Sequence, residues 1–328
     1  MAEFFNDDID FAAYLRDTDA KQKVRPASEF VDEAKARLRA RVSQKRTFLP
    51  WPKCNGSFEF RPGEVTLWVG QNGHGKTDMT TQVALSIAGQ SEKVCIASLE
   101  MKPVVTVQRM ARMFAGTNPF LAEYQNEDGL VALDAMYDDF AGWSNERLWL
   151  YDQTGMANPQ TMLGMVKYCG LELGVTHIFV DSLMKCVRSE DDYNGQKDFL
   201  DQLCSIARDC SVHVHLVHHQ RKPAKEGDTP DKHDTKGSGS ITDQVDNIFM
   251  VWRNKPKEDM HRSKGSASPK KMEPDCMLFC KKQRNYDGSD DGEPAISLWR
   301  HRDAGQFVAE PDSPPQVFCN YPHVSSAY

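Results

Sequence analysis

The sequence predicts an α/β fold, a central and mostly parallel sheet with helices on both faces, preceded by a short helical segment. Short apolar runs recur from residue 63 to 252, with stretches of helical pattern between the earlier ones. Parallel strands buried on both faces read as such near-continuous apolar runs. A glycine-rich loop, "GQNGHGKTD" (70–78), joins the first run to a helical stretch, the usual place for a strand–loop–helix phosphate cradle.

In chain order, residues 1–20 are acidic, with Glu3, Asp7, Asp8 and Asp10, whereas 21–46 carry nine Lys and Arg against three acids. After Pro26, "ASEFVDEAKARLRARVSQ" reads as one helix with Phe30, Ala34, Leu38 and Val42 in a narrow stripe. That stripe suits packing on its own domain or docking on another subunit. The expected division is therefore an acidic tail and basic linker helix at 1–46, then one domain at 47–328. "EVTLWVG" is the first strand and "DMTTQVALSIAGQ" the helix after the loop. Strands follow at 93–100, 147–152, 177–182, 212–219 and 247–252, and helices around 104–115, 128–141, 158–173 and 196–209. "CMLFCKKQRN" (276–285) and "AISLWRH" (295–301) read as an edge hairpin. The polar stretches 222–240 and 254–275 read as loops.

Composition narrows the function classes. Of the 328 residues, 40% are hydrophobic and 27% charged, enough for a large core. The net charge of −7 argues against a generally basic nucleic-acid binder, so any nucleic acid meets a local patch or channel. No apolar stretch approaches the roughly 20 residues of a membrane span, and the acidic start is unlike a secretory signal. Nine scattered cysteines without a CxxC pair fit a reduced, cytoplasmic protein.

Gly70, Gly75, Lys76 and Thr77 fit G-x-x-x-x-G-K-[ST]. Glycines let successive backbone N–H groups curl around an anion, and the following helix N-terminus adds its dipole. Gln71, Asn72, Gly73, His74 and Asp78 complete the cradle, with Lys76 for the β/γ-phosphates and Thr77 for Mg²⁺. The ligand is ATP or another NTP. "THIFVDS" ends an apolar run at Asp181, a second metal-side carboxylate, and "IASLEM" places Glu100 at the next strand end as the base for an attacking water. "HVHLVHH" offers an H-x-H pair, but without partner ligands His213 and His215 read as core histidines.

The order "GQNGHGKT", "SLEM", "VDS", "VHHQRK", "KGSGSITDQVDNIF", "KKQRN" resembles the RecA-like ATPase domain of ring-shaped replicative DNA helicases of the DnaB class, which includes phage primase-helicases and Twinkle. The resemblance runs from about 47 to about 310. It implies Glu100 as catalytic carboxylate and His219 as γ-phosphate sensor. It places Lys236, Gly237, Ser238 and Gly239 on DNA, and Arg253 near the nucleotide base. Lys282 and Arg284 become groups supplied to a neighbouring subunit's nucleotide, Arg284 as its arginine finger. The implied protein is a ring, hexameric in expectation, that moves on single-stranded DNA. A separate primase, polymerase or loader are partners of that class, and the compact layout suits a phage or plasmid replication gene in a bacterial cytoplasm. Only about 46 residues precede the domain, with no zinc-type cysteines, so priming is not expected. Two other readings share the core: a RecA/RadA-like recombination ATPase, and a structural or loading factor that uses nucleotide as a switch.

Overall fold

Seven strands align side by side so that the chain repeatedly returns to one end of the sheet. The computed structural model describes residues 3–4, 10, 26–43, 46–55, 57–119, 121, 125–187, 192–220, 230, 234–235, 240–264, 270, 272–285 and 295–319. The strands are β1 (Glu3–Phe4), β2 (Val65–Gly70), β3 (Val94–Ser98), β4 (Leu148–Leu150), β5 (His177–Asp181), β6 (His213–His219), β7 (Asn247–Arg253), β8 (Cys276–Gln283), β9 (Ala295–His301) and β10 (Gln306–Val308). The helices are α1 (Glu29–Ser43), α2 (Lys76–Gly89), α3 (Pro103–Ala115), α4 (Glu127–Ser144), α5 (Pro159–Leu171), α6 (Tyr193–Cys210), α7 (Ser240–Gln244) and α8 (Lys255–Lys264). The sheet order is β1-β4-β3-β5-β6-β2-β7-β8-β9-β10. Pairs from β1 to β7 are parallel and those from β7 to β10 antiparallel.

Local chemistry marks the element ends. Asn126, Asn158 and Asp192 cap α4, α5 and α6 by accepting backbone N–H bonds, and Pro103 and Pro159 open α3 and α5. Gly116, at φ 69°, closes α3 in the left-handed region. Strand residues alternate between two buried layers. Leu67, Ala97, Val180 and Leu216 meet α5 and α6 on one face. Trp68, Ile96, Phe179 and Phe249 meet α2, α3 and α4 on the other.

Within the second layer lie His177, His213 and His215. His213 Nδ1 donates to Arg61 O (2.6 Å) while its Nε2 accepts from Thr66 Oγ1 (2.8 Å). Trp68 Nε1 donates to His215 Nδ1 (3.3 Å), so His215 Nε2–H faces His177 Nδ1 at 3.1 Å. Burial pushes all three below the usual histidine range, His213 to about 4. His213 and His215 are core histidines, as expected, and His177 joins them; among the described residues no group of three or more His, Cys, Asp or Glu is arranged to hold a metal.

Three expectations are corrected. Residues 255–264 form α8 rather than loop, because Asn254 Oδ1 accepts from Lys257 N (3.0 Å) and Pro256 sits in the first turn. The β8–β9 hairpin is not the edge, since β10 adds outside β9. Ser240, taken as loop, begins α7, while the greater part of 222–239 lies outside the described residues. In α1, Phe30 is 43% exposed, and Leu38 and Val42 lie outside the residues whose side chains are described. Among the described residues, no helix is long and apolar enough to cross a membrane.

Candidate nucleotide site

The parallel strands bring their C-terminal ends together, and the polar residues expected there do converge. In register, Gly70 stands beside His219 on β6 and Val251 on β7. A Cβ at Gly70 would lie 2.7 Å from Val251 O and 3.3 Å from Lys76 Cγ, so only glycine lets the loop leave β2 this closely. Gly73 and Gly75 have φ of 77° and 84°, turning the loop back toward α2. Asp181 ends β5, and Glu100 follows β3 by two residues.

Lys76 Nζ donates to Gly70 O (2.8 Å) and Gln71 O (3.0 Å) and lies 3.3 Å from His219 Nδ1. An ammonium only donates, so His219 Nδ1 is the acceptor and its Nε2–H faces Glu100 Oε1 at 3.9 Å. That separation gives electrostatic attraction rather than a hydrogen bond. His219 is still the chief influence holding Glu100 below the usual carboxylate range, with burial opposing it. Ser182 Oγ also donates to Glu100 Oε1 (3.2 Å). Burial pushes Lys76 down, against the attraction of Asp181 and Glu100. Thr77 Oγ1 donates to Asp181 Oδ2 (2.8 Å), and burial raises the Asp181 carboxyl. One hydroxyl and one carboxylate in contact beside a phosphate cradle are the hard oxygen donors Mg²⁺ takes, the remaining positions falling to water and phosphate.

Lys76, Thr77, Glu100, Asp181 and His219 line a cleft of about 1260 Å³ that also takes in Asn72, Gly73, His74, Gly75, Asp78 and Arg253, together with Trp299, Arg300 and Phe307. Gln71 serves through its carbonyl on Lys76. His74, unexplained by the sequence pattern, is buried, accepts from Arg253 N (3.3 Å) and is pushed down to about 4, mainly by burial. Arg253 grips Glu258 of α8 at 2.6 and 2.8 Å and donates to Gly73 O (2.7 Å), so it braces the loop. Sequence reasoning missed the partners of Asp78. Arg109 Nη1 donates to its Oδ1 (3.1 Å) and Arg300 Nη2 to its Oδ2 (2.6 Å), while Arg300 stacks over Phe307. Nothing local signals a contact 222 residues apart in sequence.

Lys282 and Arg284 are elsewhere. Because β8 runs antiparallel, Lys282 pairs with Ile248 near the start of β7, whose Asn247 pairs with Thr66 near the start of β2. That is the opposite end of the sheet, at least four strand residues, about 13 Å, from Gly70. Lys282 Nζ donates to Thr242, Asp243 and Val245 carbonyls at 2.7–2.9 Å. Lys236, Gly237, Ser238 and Gly239 lie outside the described residues.

A family model described as "AAA domain" matches residues 33–225. Among solved structures, a DnaB-like replicative helicase, described together with its interactions with primase, superposes with a TM-score of 0.66 at 16% identity. That match covers 87% of this chain and 67% of the other. A second solved structure, described as an ATPase domain, gives a TM-score of 0.64 at 17% identity over 85% of this chain and 98% of the other. The fold is thus the RecA-like one of the helicase class that the motifs resemble.

Proposed function

The chain belongs to this AAA-domain family, and from that premise we propose that it is an NTP-hydrolysing DNA helicase whose copies assemble into a ring, a hexamer on this reading. Residues 47–328 would be its motor and 1–46 its arm. The observation that carries the reading is the split of the machinery across the sheet. Lys76, Thr77, Asp181, Glu100 and His219 share one end, whereas Lys282 and Arg284 occupy the other. A chain so built holds Lys282 and Arg284 away from its own cleft, at the sheet end where an adjacent copy could use them.

In this reading the triphosphate draws the Lys76 ammonium away from the Gly70 and Gln71 carbonyls. Thr77 and Asp181 would hold Mg²⁺, which neutralises charge on the phosphate oxygens. Glu100, kept ionised by His219, accepts the proton of the attacking water. His219 accepts from Lys76 and faces Glu100, so it is placed to register loss of the γ-phosphate. The segment after β6, carrying Lys236, Gly237, Ser238 and Gly239, would contact the DNA backbone without reading sequence. Arg284 and Lys282 of an adjacent copy would complete the charge at the transition state. Exposed Phe30 on α1 suits the docking of that helix on a neighbour.

The test is steady-state ATP hydrolysis with and without single-stranded DNA, for wild type and Arg284→Ala. Strong DNA stimulation that the variant loses is the expected result. Turnover indifferent to both DNA and Arg284 overturns the ring-motor reading in favour of a nucleotide-switched loading or structural factor.

A further inference from the structure

Arg284 is held from behind by a buried carboxylate. Its Nη1 donates to Asp246 Oδ1 (3.2 Å), its Nη2 to Asp243 O (2.7 Å) and its backbone N to Asp246 O (2.9 Å). The Asp246 side chain is 8% exposed and that of Arg284 43%, so the pair is anchored inside and open outside. The second oxygen, Asp246 Oδ2, accepts from Val65 N (3.0 Å), the first residue of the strand that ends in the phosphate loop. The neighbours are fixed as well: Asn285 Nδ2 donates to Glu64 Oε1 (2.7 Å) and Gln283 Nε2 to Ser57 O (3.3 Å). Opposite, Ile248 pairs with Lys282 but Phe249 with Cys280, so a bulge at Lys281 re-aims the residues beyond it.

Burying a carboxylate is costly unless it is paired and hydrogen-bonded. Asp246 meets that condition by locking one guanidinium in a fixed direction at the sheet end remote from its own cleft. We propose that Asp246 is the positioning residue of the trans-acting arginine: it orients Arg284 toward the nucleotide of an adjacent copy and contributes nothing to hydrolysis in its own cleft. This rests on the reading of Arg284 as a finger. Because a misplacement of about 1 Å can cost 100-fold, Asp246→Asn should lower DNA-stimulated hydrolysis roughly 10- to 100-fold. Asparagine keeps an acceptor for Val65 N–H, so nucleotide affinity of the variant's own cleft should stay within about twofold of wild type. A role confined to holding β2 in place would move that affinity.

Mixed oligomers provide the decisive experiment. D246N chains carry a sound cleft and a misdirected finger, and E100Q chains a sound finger and a disabled cleft. In an equal, random mixture about one quarter of interfaces join a D246N cleft to an E100Q chain's finger. The expected result is recovery toward one quarter of wild-type turnover, as for a parallel mixture of R284A with E100Q. Recovery in the R284A mixture but not in the D246N mixture overturns the role of Asp246 and leaves the finger reading standing. Recovery in neither removes the finger reading and this proposal with it. If D246N does not fold, Asp246→Ser, which also keeps an acceptor, replaces it in the same scheme.

Discussion

Replacing His213 tests whether the histidine layer is held neutral. His213 is fully buried, with one nitrogen donating to Arg61 O and the other accepting from Thr66 Oγ1. A proton added at Nε2 would bring a charge into this fully buried layer, and burial moves the group from 6.5 to about 4. The sign follows from linkage: above pH 6.5 both states are neutral, and below it the unfolded chain takes a proton that the folded chain refuses. Stability therefore falls as pH drops from 6.5 toward 4, at about 1.4 kcal/mol per pH unit. By pH 5.0 the loss from this one residue is about 2 kcal/mol. Urea unfolding of wild type and His213→Gln at pH 7.5, 6.5, 5.8 and 5.0 measures it. The variant is less stable throughout because it loses the ring packed beside Phe60, so the informative quantity is the difference in slope. Wild type should lose about 2 kcal/mol more than the variant between pH 7.5 and 5.0. Buried Glu64, which burial raises, is common to both chains and cancels, and His177 and His215 lose only the lesser influence of His213 while the burial that chiefly lowers them stays. Parallel curves would refute the reasoning.

Other perturbations test the cleft. Gly70→Ala should part β2 from β7 at a cost of roughly 1–3 kcal/mol, read from the urea midpoint; an unchanged midpoint contradicts the 2.7 Å approach to Val251 O. Asp181→Asn should cut Mg²⁺-dependent hydrolysis at least about 100-fold, with apo stability within about 1 kcal/mol of wild type; undiminished Mg²⁺ response would discard the metal assignment. Asp78→Ala frees Arg109 and Arg300, and as both pairs are partly exposed the cost should be about 1 kcal/mol, seen as a small shift in the same midpoint.

How much of this was legible in the sequence depended on the range of the forces involved. The phosphate loop and the apolar strands are written in residues at most a few positions apart, where backbone conformation and hydrogen bonding act. Parallel strands all end on one side, so Asp181 and Glu100 could be placed beside the loop from pattern alone. The helix α8 was hidden because its Lys, Glu and Pro content masked an Asn254 cap. That β2 lies between β6 and β7, that His219 meets Lys76, and that Asp78 holds Arg300 are long-range results of packing both faces of one sheet. The same sequence determined that a phosphate-cradle loop opens α2 and named the polar residues that gather around it. Only the tertiary structure decided that Lys282 and Arg284 stand at the far end, because β8 returns antiparallel along β7 before those side chains are reached.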